Sequence, residues 1–141
     1  MKIIYSILIF AFIAGCNAPA DKSETTTSTQ IKNEVIKKHA FLEDMYNDKY
    51  YPRFLVDKCK HVLLDLCAAI ERENPKSLDD LYKLTHAATE EINALEKEFY
   101  ENDSELETVA RECLGMDFVF IATTYGFKDA DVEELIAPRN W

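Results

Sequence analysis

The sequence predicts an all-α fold: an up-down bundle of four main helices plus a short C-terminal helix. Three observations carry this. Beyond residue 30, apolar residues recur at spacings of three and four rather than two. Only three Gly and four Pro interrupt the 141 residues, and the good helix formers Leu, Ala, Glu and Lys are plentiful. Two Ser-x-x-acid boxes, Ser77 to Asp80 and Ser104 to Glu107, stand where helices should open.

The first helix is expected over residues 31–46, with a weak stripe of Ile31, Val35, Leu42 and Tyr46. The segment NDKYYP follows, and its Pro52 suits the first turn of a second helix, 52–73. That helix carries the widest apolar face, from Leu55, Val56 and Cys59 through Leu66, Cys67 and Ile70. NPKS is a turn, and Ser77 opens a third helix, 78–100, with Ala88 at the centre of its stripe. ENDS is the next turn, and Ser104 is expected to open the fourth helix. Gly126 after Tyr125 supplies the left-handed stop, with Phe127 packing back. Asp129 is expected to cap a short fifth helix through Ile136, ended by Pro138.

The first sixteen residues, MKIIYSILIFAFIAGC, have the layout of a secretory signal: Lys2, an apolar run too short to span a bilayer, and small residues at the cut. Ile13-Ala14-Gly15-Cys16 resembles a bacterial lipobox, in which Cys16 takes lipid on sulfur and becomes the mature N-terminus. Acyl chains contribute about 0.8 kcal/mol per buried CH₂, so membrane retention needs no spanning helix. Residues 1–15 are thus read as a lipoprotein signal peptide and 16–30 as a lipidated flexible tether, since NAPADKSETTTSTQ has no large apolar residue to bury. Its reach as a coil is about 20 Å. The helical domain is 31–141, placed in the bacterial cell envelope, facing periplasm or exterior.

The net charge is −10, with 26 acids against 16 Lys and Arg. This argues against nucleic acid, whose binding needs clustered cations, and against broad adhesion to anionic lipid. The sequence has no G-x-S-x-G, P-loop, HExxH or zinc-type CxxC motif, so no cofactor and no metal is expected.

Two polar residues stand out of place. In LETVARECLGMDFVFIATTYGF, residues 106–127, Asp117 falls near the centre of a face holding Leu106, Val109, Ala110, Cys113, Phe120, Ile121 and Thr124. His39 falls inside the stripe of the first helix. A buried carboxylate must be paired, hydrogen-bonded, protonated or at a cleft. Asp117 is therefore expected to be mostly buried and to accept a hydrogen bond from a hydroxyl or a His of another helix. If it is held ionised by that partner, its folded pKa is depressed. Asp117, with His39 or His86, is the candidate catalytic set, and no metal ligands are assigned. Each His has an acid four residues on (His39 and Glu43, His61 and Asp65, His86 and Glu90), a spacing that fits a shared metal or an ordinary helix-surface contact. One such pair supplies only two ligands. His61 and His86 point away from their stripes and read as solvated.

Cys59 and Cys67 are about 12 Å apart along one helix, at about 1.5 Å per residue, too far to bridge. Either could meet Cys113, or all three could be buried thiols acting as small hydrophobes. YNDKYYPRF gathers Tyr46, Tyr50, Tyr51 and Phe54, which either fold over the bundle end or anchor a partner. KEFYENDSELE reads as a solvated turn.

MYNDKYYPRFLVDK (45–58), LTHAATEE (84–91), ENDSELETVARE (101–112), MDFVFIATTYGF (116–127) and EELIAPRNW (133–141) together resemble an uncharacterised bacterial family, a domain of unknown function. The resemblance covers about 40–141. It implies a small helical single domain and transfers no activity to any residue.

The sequence thus supports an envelope lipoprotein, joined to the membrane through Cys16, whose acidic helical domain binds a protein partner without catalysis, with an immunity-like module as a variant of that reading. The alternative is a small hydrolase or ligand-binding domain using Asp117. A pocket containing Asp117 would favour the second; a filled core with Asp117 bonded to a hydroxyl or backbone would favour the first.

Overall fold

The computed structural model describes residues 31–141; the expected signal peptide, Cys16 and the tether lie outside them. The described residues are helical and contain no strand. The helices are α1 (Glu34–Lys38), α2 (Glu43–Asn47), α3 (Arg53–Glu73), α4 (Leu78–Asn93), α5 (Glu96–Glu101), α6 (Thr108–Thr124) and α7 (Val132–Leu135). None of them is long and apolar enough to cross a membrane.

The expected first helix is broken in two. Asn33 caps α1, its Oδ1 accepting from Val35 N and Ile36 N. The chain then leaves helical geometry at His39 and turns through Leu42, whose φ of 57° is left-handed. The break allows Ile36, Phe41, Leu42 and Met45 all to be buried. One straight helix would not allow it, because residues 36 and 41 project about 140° apart at about 100° per residue. Val35, assigned to the stripe, is accordingly 56% exposed.

The second helix forms as expected. Pro52 immediately precedes α3, and Asn74 in left-handed conformation ends it before Pro75. Ser77 Oγ accepts from Asp80 N and opens α4. The expected third helix kinks at Ala94 and Leu95 to become α4 and α5, both hinge residues keeping near-helical backbone. Ser104 does not open the next helix. It completes the end of α5 instead: Ser104 N donates to Phe99 O, Asp103 N donates to Tyr100 O, and Asp103 takes the left-handed conformation. Helix α6 starts at Thr108 with no side-chain cap. KEFYENDSELE is therefore only partly solvated, since Phe99, Ser104 and Leu106 are buried.

At the far end of α6 the same motif recurs with glycine. Gly126 has φ +96°, Gly126 N donates to Thr123 O and Phe127 N donates to Ala122 O. Asp131, not Asp129, caps α7, its Oδ1 accepting from Glu133 N and Glu134 N. Helices α3 and α4 pack along each other, while α6 touches α1, α2, α3 and α7. One apolar core runs through all seven elements. Cys59, Cys67 and Cys113 sit in it as free thiols, so neither of the considered disulfides forms.

Candidate functional site

Asp117 is buried, with 6% exposure, on the inner side of α6. His39 Nε2 lies 2.7 Å from its Oδ1, and Leu42 N donates to its Oδ2 at 2.8 Å. One oxygen thus meets a side chain and the other holds the left-handed turn between α1 and α2. The His39 ring stacks on Phe120 at 3.7 Å between centroids and meets the edge of Phe41 at 4.6 Å. Its side chain is 25% exposed. Among the described residues no hydroxyl or thiol is hydrogen-bonded to either ring nitrogen of His39. The arrangement fixes a backbone turn and lacks a nucleophile in hydrogen-bond contact.

Burial pushes the Asp117 carboxyl above the ordinary Asp value; the bonds from His39 and Leu42 pull it down but do not outweigh burial. A depressed pKa was expected only of a carboxylate held ionised by its partner, and here burial turns the shift the other way. Partnered though it is, the carboxyl lies too deep for two hydrogen bonds to replace its lost hydration.

The structure joins Asp117 to His39 and not to His86. His86, expected to be solvated, is half-buried. Its Nε2 donates to the carbonyl of Glu134 in α7 at 2.7 Å, and its ring stacks parallel to Tyr82. The Tyr82 hydroxyl accepts from Asp131 N. Asn93 donates to Pro138 O and accepts from Asn140 N. Three side chains of α4 thereby hold the backbone of the C-terminal segment. His61 is exposed. None of the three His–acid pairs forms an ion pair among the described residues, which also contain no metal-binding cluster of three or more His, Cys, Asp or Glu.

A second carboxylate centre escaped the sequence reading. Glu71, in the last turn of α3, accepts from Lys32 N at 2.7 Å, Asn33 N at 2.9 Å and the Tyr125 hydroxyl at 2.9 Å. Partial burial raises its pKa, but these donors and the Lys32 charge outweigh that and hold it below the usual Glu range. The signal was present: an acid in the last turn opposes the helix dipole unless donors compensate it.

Burial lifts the thiols of Cys59 and Cys67 to about 12 and raises that of Cys113, so none is an activated nucleophile. The aromatic segment divides: Tyr51 is buried, Tyr46 donates to Asp57 at 2.6 Å, and Tyr50 and Phe54 are exposed. An open groove of about 700 Å³ lies between α6 and α7, lined chiefly by Gly115, Met116, Val119, Phe120, Val132 and Ile136. Asp117 does not line it.

Fold and site define a small all-helical domain whose central carboxylate is occupied from within by a histidine and a backbone amide. The family of unknown function DUF5713 matches residues 35–141, and the chain belongs to that family. Comparison with curated proteins and with solved structures found no match.

Proposed function

We propose that this protein is a lipoprotein of the bacterial envelope, anchored through lipid on Cys16 and the 16–30 tether, whose acidic helical domain binds a protein partner and performs no chemistry of its own. The observation that carries the choice against a hydrolase is that Asp117 is buried and closes the Leu42 turn, while its partner His39 has no hydroxyl or thiol in hydrogen-bond contact among the described residues. The large groove lies elsewhere and contains no catalytic set. The net charge of −10 favours a basic partner by electrostatic complementarity.

The test has two readouts on the full chain in its bacterial host. A metabolic acyl label should appear on the wild type, disappear in Cys16→Ser, and take membrane association with it. Chemical crosslinking of intact cells should then join the wild-type protein to a protein partner. Unchanged labelling and fractionation in Cys16→Ser overturns the anchor; absence of any crosslinked protein overturns partner binding.

A further inference from the structure

We propose that the groove between α6 and α7 is the docking site for a cationic amphipathic helix of the partner; this rests on the partner-binding reading above. The α6 wall is formed by residues 111, 112, 115, 116, 119, 120 and 123. These positions make one helical stripe about 18 Å long, from twelve steps of about 1.5 Å. That length suits about three turns of a partner helix laid along it, anchored at i, i+3, i+4 and i+7.

The wall chemistry fits an apolar helix face. Met116 is 71% exposed and Val132 37% exposed at the mouth. Methionine adapts its shape to irregular apolar partners. The floor is closed by tight contact between the two helices: a Cβ at Gly115 would lie 3.3 Å from Val132 Cγ2. Both walls are preformed. Phe120 is backed by the stacked ring of His39, and α7 is held to α4 through His86, Tyr82 and Asn93.

Charge selects the occupant. Glu112 and Arg111 line the α6 side of the rim, and Glu133 on the α7 side is paired with Arg139 at 2.6 Å. Asp129, Asp131 and Glu134 are exposed around α7 with Lys128 as their neighbouring cation, so the acids near the groove outnumber the cations, five against three. A helix with an apolar face flanked by Lys or Arg complements this surface. A second copy of the chain, with the same charge of −10, is repelled from it. Residues 17–30 carry no large apolar side chain to fill it.

The experiment places a photo-crosslinking phenylalanine analogue at Met116, or at Tyr100 on α5 (73% exposed), in the full chain expressed in its host, and sequences the crosslinked peptide. The expected result is capture at 116, at least tenfold above capture at 100, of one peptide with apolar residues at three- and four-residue spacing and flanking Lys or Arg. Glu112→Lys should lower that capture at least fivefold without moving the melting temperature. Capture at 100 and not at 116 overturns the groove while leaving partner binding standing. Capture at 116 of lipid, of a second copy, or of an acidic or irregular peptide also overturns it. Absence of protein capture at both sites overturns groove and partner together.

Discussion

Asp117 on α6 accepts the amide N–H of Leu42 at 2.8 Å, and Leu42 is the left-handed residue that breaks the N-terminal helix into α1 and α2. The carboxylate and the break belong to one device. A buried non-glycine residue in left-handed conformation costs about 1–3 kcal/mol, and persists only when its surroundings demand it. Here the demand comes from burying Leu42 at 1% exposure and from the acceptor waiting for its amide.

Replacing Asp117 by Asn places an NH₂ opposite either Leu42 N or His39 Nε2. The expected cost is about 1–3 kcal/mol in chemical denaturation. Its pH dependence has a definite sign. Because burial raises the folded pKa, protonation is tighter in the folded state than in the unfolded chain. The Asp117 contribution is then full below the unfolded value of about 3.9 and declines as pH rises through the folded one. The stability gap between wild type and Asp117→Asn should therefore narrow on going upward from pH about 3.5. A gap that widens instead would mean that His39 holds the carboxylate ionised.

Glu71 should show the opposite profile. Its folded pKa is lowered by the Lys32 and Asn33 amides and the Tyr125 hydroxyl, against the raising effect of burial. Its contribution is present above the unfolded Glu value of about 4.3 and is lost as pH falls through the folded one. Glu71→Gln should cost about 1–2 kcal/mol at neutral pH, a range discounted for partial exposure. The difference should close in acid. Urea denaturation at pH 7 and at pH 3 checks this, and an equal cost at both would show that the donors do not distinguish the ionised from the neutral acceptor.

The sequence made the long helices legible because their signals are local: Pro52 before α3, Ser77 before α4, Gly126 after α6. The broken ones were hidden because their causes are distant. Leu42 turns left-handed for a carboxylate 75 positions away, and no periodicity encodes that. Ser104 looked like a helix opener, yet its place is at the close of α5. Asp117 was identifiable as a buried acid from its angular position, and a His donor was foreseen. A backbone partner was among the readings, but its place at Leu42 was not legible, because a backbone donor leaves no side-chain signature. His86 looked solvated because its partner, the Glu134 carbonyl, lies off the stripe of its own helix.

Ala88 lies at 5% exposure on α4, at the centre of its apolar stripe. Burial at a close-packed position means that a larger side chain must displace neighbours. Ala88→Leu should lower stability by about 1–3 kcal/mol through overpacking. The measurement is the midpoint of urea denaturation, and an unchanged midpoint would place that face against open space.

His86 offers the sharpest separation between a structural and a catalytic histidine. Its Nε2–H supports the Glu134 carbonyl and so holds α7 to α4, while its ring stacks on Tyr82 of the same helix and steadies that donor. His86→Ala removes both, at about 1–2 kcal/mol in total. The loss should be local before it is global, because α7 is a single turn whose remaining ties to α4 are few. Amide exchange at Leu135 and Ile136, which donate within α7, should therefore speed up at least tenfold, while the amides of α3 slow no further and quicken little. His86→Gln replaces the ring donor with an amide donor but loses the stack, and should fall between wild type and His86→Ala. Unaltered exchange in α7 for both variants would mean that the C-terminal segment is held without His86, and would free that histidine for a role in binding or catalysis.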